Sequence, residues 1–539
     1  MAAPPAPLRA AAFASRDEVP DLERCSHPCG DPADNGRCRA AAQGGGGATC
    51  SAHAESASLA ARGRSVAAQA AAQQQAAADR VDGDGDGATV AAAARLRRRR
   101  RRLETHRAKP AKETHGPEVG ICTAAADETT SPALLTDVCE NGLKFRVSAA
   151  LAARPGERSG FFNPKMRLNR DLSLAALAAA AALRIRDSGE ATASALDACA
   201  ASGAIGLRWA ASWEQAASAA LAAVNAKGDE RPLPTTLRVH LNDADPACAA
   251  LCLANAEVNG LATHATVTQR DCRALLCDHA PFNFVHLDPF GSVSPFLDAA
   301  MGSAPHGGVI SLTATDTAAL YGVYPKVSMR MYGARLSRAV PAFREAGARA
   351  LAAAAAAAAA RHGRGISILR CAAAEHFVAM VVGVRRGMRH ADASIEAVQA
   401  CAYSRRSDDF SWAGKATSAD TNGDVVELGP LWSGPLFCRD WVRAEVAALR
   451  AAAPDGPGVK LLARLEREAE VAASPFYYDI HASARRVGLQ EAPSVAAVLS
   501  ALGGGAATHF ERGRVRCEGG AAALDAAVRK LAAVTAESE

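Results

Sequence analysis

Short apolar strands alternate with helices from about residue 130 to residue 390, and this alternation predicts an α/β fold built on a doubly wound, mostly parallel sheet. The segments "ASALDACA", "TLRVHLND" and "FNFVHLDP" are typical of buried strands. Polar and glycine residues follow directly after them, at the edge where open parallel sheets bind ligands. After this region we expect a smaller C-terminal α+β domain.

The remaining elements of the sheet follow in order. A helix from about 205 to 224 follows the first strand, and a helix from 246 to 259 follows the second. "ATVTQRDC" is the third strand, a helix from about 295 follows the fourth, and "GGVISLTATD" is the fifth. "GISILRCAAAEHFVAMVVGVRRG" is expected to form a hairpin of two further strands.

Three regions differ in composition. Residues 1–115 contain few large apolar side chains, so we predict a disordered, low-complexity tail. Residues 130–390 form the sheet domain. Residues 391–539 are predicted to begin with an irregular linker to about 470 and to contain helices around 481–487 and 495–502.

Charge and cysteine content narrow the functional classes. The 539 residues carry a net charge of +5, and the six arginines at 97–102 exceed this value, so the rest of the chain is close to neutral. A surface that binds nucleic acid must therefore be a local basic patch. The 15 cysteines include no C-x-x-C pair, which favours free thiols and no metal site. No run of 18 strongly apolar residues is present, so no membrane span is predicted.

Acids at three successive strand ends indicate an adenosine-containing cofactor. Asp197 closes the first strand, and Gly203 permits a tight turn after it. Asp243 ends the second strand, where an acid accepts hydrogen bonds from ribose hydroxyls. Asp271 and the N–H of Cys272 can bind an adenine amino group and a ring nitrogen. Because the chain lacks a Walker loop and a G-x-G-x-x-G turn, S-adenosyl-L-methionine is favoured over ATP and NAD.

The fourth strand ends in "DPFG", which indicates transfer to an amino group of a nucleobase. Such an amino group is a weak nucleophile because its lone pair is delocalised into the ring. Asp288 can accept its N–H bonds, and Phe290 can stack on the base. Alone, the same residues would also fit a plain turn with a capping acid and a buried ring.

The chain resembles the tRNA (guanine-26-N2)-dimethyltransferase family. The resemblance covers about residues 139–510 and rests on "GFFNPKMRLNRDLSLAAL", "DACASGAIGLRWA", "HLDPFGSVSPFLDAA" and "SPFYYDIHASARRVG". It implies a Rossmann-like class I methyltransferase sheet and two methyl transfers from S-adenosyl-L-methionine to N2 of guanine 26 in tRNA. It also implies that residues 391–539 are a tRNA-binding domain.

The resemblance assigns further residues. It implies that Arg170 and Arg208 lie at the cofactor, while Ile205 replaces another arginine of the family. It carries Asp288 over as the catalytic acceptor and Phe290 as the stacking ring. Family members have paired cysteines, indicative of zinc, where this chain has only Cys401 between about 385 and 428, so no zinc is expected.

Several alternatives remain open from the sequence. The protein could methylate another amino-bearing base of RNA or DNA, or it could be a non-catalytic RNA-binding descendant. Arg485 and Arg486 could contact phosphates or form a solvated helix face. We expect tRNA as partner, no obligate protein partner, and a nuclear location because of the arginine run, with the mitochondrion or plastid as alternatives.

Overall fold

The computed structural model of the chain describes residues 135–148, 162–225, 236–279, 281–374, 376–412, 423–471 and 475–538. The predicted tail of residues 1–115 lies outside these ranges. The first described element is an antiparallel hairpin of β1 (Leu135–Glu140) and β2 (Leu143–Ser148). The sequence patterns did not predict this hairpin.

A seven-stranded sheet forms the centre of the fold. Its strands are β3 (Thr192–Asp197), β4 (Thr236–Asp243), β5 (Ala265–Gln269), β6 (Phe284–Leu287), β7 (Val309–Ala314), β8 (Arg364–Ala374) and β9 (Phe377–Arg386). Their spatial order is β5-β4-β3-β6-β7-β9-β8, and β9 runs antiparallel to both of its neighbours, β7 and β8, while the other pairs are parallel. The predicted doubly wound, mostly parallel sheet is confirmed. The strand order reverses between β3 and β6, which opens a crevice at their carboxyl ends.

Helices cover both faces of this sheet. They are α1 (Arg167–Ser188), α2 (Ala204–Val224), α3 (Pro246–Val258), α4 (Cys272–Asp278), α5 (Leu297–Ser303), α6 (Thr317–Leu320), α7 (Pro325–Tyr332) and α8 (Phe343–Arg361). Phe284 and Val285 are consecutive in β6 and belong to two different apolar clusters, because neighbouring strand residues point to opposite faces. Each face therefore needs its own layer of helices.

Helix α1 precedes the first sheet strand and was not predicted from the sequence. Its central run at 174–183 consists of alanine and leucine and shows no polar face, and the helix is buried along most of its length between α2 and a later helix. A helix that is apolar all round is typical of a protein interior, and it lacks the amphipathic signal by which surface helices are recognised.

The prediction of an irregular linker from 391 to about 470 is wrong. This segment contains α9 (Met388–Glu396), a three-stranded antiparallel sheet of β10 (Val398–Ser404), β11 (Asp409–Trp412) and β12 (Val425–Trp432), and then α10 (Arg439–Ala452) and α11 (Pro457–Ala469). Helix α10 packs against α1 and α2, so this segment completes one of the helical layers.

The C-terminal part is α+β, as predicted. It consists of β13 (Tyr478–Asp479), α12 (Ile480–Val487), α13 (Val495–Leu502), β14 (Ala506–Ala507), β15 (Arg514–Arg516) and α14 (Gly520–Ser538). The two predicted helices are present as α12 and α13. A third small apolar cluster packs inside this part.

A buried charge network joins the C-terminal part to the sheet region. Arg516 of β15 contacts Glu345 of α8 at 2.8 Å and Glu468 of α11 at 3.1 Å. Glu345 also pairs with Arg349 at 2.8 Å, and Glu468 accepts a hydrogen bond from His509. Burial raises the pKa of Glu468, but the positive charges of His509 and Arg516 outweigh it and lower this pKa to about 2. The charges therefore compensate one another in the interior.

Candidate active site

The turn after β3 is held by two carboxylates. Asp197 is buried, and its Oδ2 accepts the Gly206 N–H at 3.1 Å, while its Oδ1 has no hydrogen-bond partner among the described residues. Asp243 accepts the Ala201 N–H at 2.9 Å. Gly203 has φ +77°, and a Cβ there would lie 3.3 Å from the thiol sulfur of Cys252, so the turn requires glycine. The backbone is thereby kept close to the crevice.

The third strand tip carries the predicted adenine contacts. Asp271 caps α4 by accepting the Arg273 N–H at 2.9 Å, and hydrogen bonds from the Arg273 side chain and backbone lower the pKa of Asp271 to about 2. Cys272 begins α4, so its N–H has no intrahelical partner. A hydrogen bond with Cys272 raises the pKa of the Cys199 thiol well above its ordinary value.

The "DPFG" turn follows β6 directly. The Gly291 N–H donates to the hydroxyl oxygen of Thr315 at 2.9 Å, and the Thr315 N–H donates to the Gly291 carbonyl at the same distance. These bonds fix the turn against the end of β7. Phe290 is 69% exposed, so its ring is not the buried ring of a plain turn. Asp288 is half-buried behind it.

The acids of the second and fourth strand tips lie close enough to affect the ionisation of the acid of the first strand tip. The pKa of Asp197 is raised to about 8, mainly by burial and to a smaller extent by the charges of Asp288 and Asp243, while the hydrogen bond from Gly206 lowers it. Burial also raises the pKa of Asp288 to about 7. Clusters of carboxyl groups with perturbed pKa values are typical of functional sites. The structure thus brings these predicted residues together.

Two site residues were missed by the sequence analysis. Asn169 of α1 donates from Nδ2 to Oδ2 of Asp288 at 2.9 Å. The hydroxyl of Thr313 in β7 donates to Oδ1 of Asn169 at 3.0 Å. One feature of the sequence could have identified them: both are polar residues within segments that are otherwise apolar. Asn169 lies in "NRD" at the start of an alanine- and leucine-rich helix, and Thr313 interrupts the apolar strand "VISLTA".

The two predicted cofactor arginines are both buried in ion pairs. Arg170 makes a bidentate contact with Glu140 of β1, with Nε at 2.7 Å from the carboxylate. Arg208 of α2 lies 2.5 Å from Asp171 and 3.8 Å from Glu140. Glu140 was not predicted, because β1 shows no motif that marks it. The arginines lie beside the crevice, and direct contact of either one with the cofactor stays a prediction.

The arrangement fits the adenosine cofactor that the sequence favours. Asp243 and Asp271 lie at neighbouring strand ends, and the glycine turn leaves room for close backbone approach. Oδ1 of Asp197 is a buried polar atom that the described residues leave unpaired, and a polar group on a ligand would satisfy it. In the described ranges, no group of three histidine, cysteine or acidic residues is arranged as metal ligands.

A second polar feature lies away from the crevice. A pocket of about 610 Å³ is lined by the arginines Arg338, Arg405, Arg485, Arg486 and Arg514, together with three acids. Arg486 pairs with Asp525 and Asp408, and hydrogen bonding to Asp525 raises its pKa. Arg485 is exposed and has no ion pair among the described residues. None of the described helices is long and apolar enough to cross a membrane.

The fold and the strand-tip residues define a Rossmann-like, S-adenosyl-L-methionine-dependent methyltransferase. A family model described as N2,N2-dimethylguanosine tRNA methyltransferase matches residues 144–530. The chain belongs to this family. The family resemblance inferred from the sequence is therefore confirmed.

Individual proteins agree with this assignment. The tRNA (guanine(26)-N(2))-dimethyltransferase of Methanopyrus kandleri is 32% identical over 49% of this chain and 69% of its own length. The tRNA (guanine(27)-N(2))-dimethyltransferase of Homo sapiens is 32% identical over 52% of this chain, but the match spans only 40% of the human protein. The solved complex of Trm1 from Pyrococcus horikoshii with S-adenosyl-L-methionine is 25% identical, with a TM-score of 0.57 over 73% of this chain and 99% of that one.

Proposed function

We propose that this protein transfers two methyl groups from S-adenosyl-L-methionine to N2 of guanine 26 in tRNA. The observation that carries the proposal is the pairing of a half-buried Asp288 with an exposed Phe290 at the crevice end of β6. Family membership and relatives that act on tRNA guanine N2 support it. The relatives include proteins named for position 26 and for position 27, so the exact nucleotide belongs to the proposal.

Asp288 acts on the guanine amino group. S-adenosyl-L-methionine supplies an electrophilic methyl group on a sulfonium. The carboxylate of Asp288 accepts an N–H bond of the amino group, which turns the nitrogen lone pair towards the reacting carbon. As the N–C bond forms and the methyl–sulfur bond breaks, with its electron pair left on sulfur, positive charge develops on nitrogen, and the attraction of the carboxylate for this charge increases. With its pKa raised to about 7 by burial, Asp288 can then take the released proton at neutral pH.

Phe290 holds the base in place. Its exposed ring stacks on the guanine, and stacking on an aromatic ring contributes about 1–3 kcal/mol per base. Asp243 binds the ribose of the cofactor, and Asp271 with the Cys272 N–H binds the adenine. Arg170 and Arg208 act through the acids they pair with, Glu140 and Asp171, and thereby hold the helix and hairpin beside the crevice.

The arginine pocket is our proposed contact with the tRNA backbone. Arg338, Arg405 and Arg485 come from three separate segments and make no ion pair among the described residues, so their charge is available for phosphates. Arg486 is committed to its two acids and is expected to support the pocket structurally. We also propose a nuclear location, supported by the arginine run at 97–102.

Nucleoside mass spectrometry after methylation of defined tRNA tests the function. Three unmodified tRNA transcripts would be incubated with the protein and isotopically labelled cofactor. Of positions 26 and 27, the first transcript has guanine at 26 alone, the second at 27 alone, and the third at neither. We expect labelled N2,N2-dimethylguanosine only where guanine 26 is present. Label in adenosine would support the alternative substrate class, and tRNA binding without any label would support the non-catalytic alternative.

A further inference from the structure

A chain of two buried hydrogen bonds ends on the proposed catalytic carboxylate. Thr313 and Asn169 are both almost fully buried, at 0% and 1% exposure. The Thr313 hydroxyl donates to Oδ1 of Asn169 at 3.0 Å, and Nδ2 of Asn169 donates to Oδ2 of Asp288 at 2.9 Å. None of the described residues donates a hydrogen bond to Oδ1 of Asp288. One carboxylate oxygen is thus occupied, and the other is left for a substrate.

The orientation of the Asn169 side-chain amide decides whether the ionised or the protonated form of Asp288 is favoured. With its NH2 group facing Asp288, the amide stabilises the ionised carboxylate. If the amide turned over, its oxygen would face Asp288 and would instead accept a hydrogen bond from the protonated acid. In that second arrangement the Thr313 hydroxyl would have to accept a hydrogen bond from the NH2 group, and its own proton would lose the amide oxygen to which it donates in the structure.

We propose that Thr313 and Asn169 are positioning residues that keep Asp288 ionised and direct its Oδ1 to the guanine amino group. This inference rests on the proposed function, since it concerns the same carboxylate. It also explains why buried polar residues occur in "NRD" and "TATD". Asn169 of the first motif supplies the amide, and Thr313 of the second holds the orientation of that amide.

Other charged groups around Asp288 also bear on the ionisation of carboxyl groups at this site. From α1, the charge of Arg170 lowers the pKa of Asp288, and it is itself bound by Glu140 of β1. From β3, Asp197 is close enough that the charge of Asp288 raises the pKa of the Asp197 carboxyl group. Burial nevertheless raises the pKa of Asp288 to about 7, so at neutral pH small changes in hydrogen bonding shift the ionised fraction strongly.

The test is the pH dependence of single-turnover methylation by the full chain with saturating cofactor. We expect Asn169→Leu to move the acid limb of the rate profile upwards by about one pH unit, a tenfold loss at pH 6. Thr313→Val should move it in the same direction by about half as much. Thr313→Ser retains a hydroxyl and should restore the wild-type profile. At pH 9 all variants should approach the wild-type rate within about threefold, since Asp288 is then ionised in each.

The structure offers matched controls. Ser173 lies one helical turn from Asn169 in α1, and Ser311 lies two residues from Thr313 in β7. Both are buried, but their hydroxyls contact His286 at 3.4 and 3.1 Å and make no contact with Asp288. Ser173→Ala and Ser311→Ala therefore remove a buried hydroxyl from the same elements and should leave the midpoint of the profile unchanged.

The outcomes separate this inference from the proposed function. If the wild-type protein transfers no methyl to tRNA guanine, the function itself fails. If the wild-type protein is active but the Asn169 and Thr313 variants lose activity equally at every pH, the two residues are only structural and the inference is overturned. If a folded Thr313→Val variant has the same pH–rate midpoint as the wild-type protein, the inference is also overturned. This outcome does not depend on whether Asn169→Leu folds.

Discussion

Replacing Asp288 by asparagine should stop methyl transfer while leaving substrate binding in place. The asparagine has nearly the same shape and retains an oxygen for the Nδ2 donor of Asn169, so the turn after β6 should persist. What disappears is the negative charge that faces the reacting nitrogen and the ability to take its proton. The effect should therefore appear in the chemical step.

The magnitude follows from these two losses. A hydrogen bond to a charged acceptor contributes about 1.5–3 kcal/mol more than no bond at all. At about 1.36 kcal/mol per factor of ten, this corresponds to about a tenfold to 150-fold change in rate. Loss of the proton acceptor removes a further factor, because general bases contribute about 10²–10⁴-fold. The lower limits of the two factors multiply to 10 × 10², so we expect the single-turnover rate of Asp288→Asn to fall by at least about 1,000-fold.

The assay is single-turnover methylation of unmodified tRNA, with calorimetry for the cofactor and fluorescence anisotropy for the tRNA. Asp298→Asn is the control, because it makes the same change at an exposed acid that pairs with Arg361 on α8. Its rate should equal that of the wild-type protein. If Asp288→Asn kept more than a tenth of the wild-type rate with intact binding, Asp288 would not be the acceptor, and Asp316 in "TATD" would be examined next.

Three further predictions follow from the same geometry. Because burial raises the pKa of Asp288 to about 7 and the carboxylate is the active form, the wild-type rate should be lost as the pH falls through about 7; a midpoint near 4 in the pH–rate profile would contradict this. Asp243→Ala should weaken cofactor binding by about 1.5–3 kcal/mol per lost hydrogen bond in calorimetry, and unchanged affinity in the folded variant would remove Asp243 from the site. Arg516→Leu should lower the free energy of unfolding by about 3–5 kcal/mol in urea titration, because it leaves Glu345 and Glu468 buried without this partner, whereas a loss below about 1 kcal/mol would show that the network is unimportant.

Much of the sheet was predictable because its signals are local. Apolar runs of four to eight residues followed by glycine or acidic turns mark parallel strands wherever they lie in the chain. Asp243, Asp271 and Asp288 could be placed at one edge because parallel strands bring their carboxyl ends together. The tRNA substrate and the position of the methylated base came from the family resemblance rather than from any residue pattern.

The tertiary structure decided what surrounds these strand ends. Thr313 and Asn169 are 144 residues apart, and Glu140 is 30 residues from the arginine it binds. No local pattern encodes such pairs, because they form only when α1 and the β1–β2 hairpin pack beside the sheet. Arg486 is a further example. From the sequence alone it could contact a phosphate, but in the folded chain it forms ion pairs with Asp408 and Asp525. The sequence by itself determined which residues end the strands, and long-range packing determined which of their atoms are left free for chemistry.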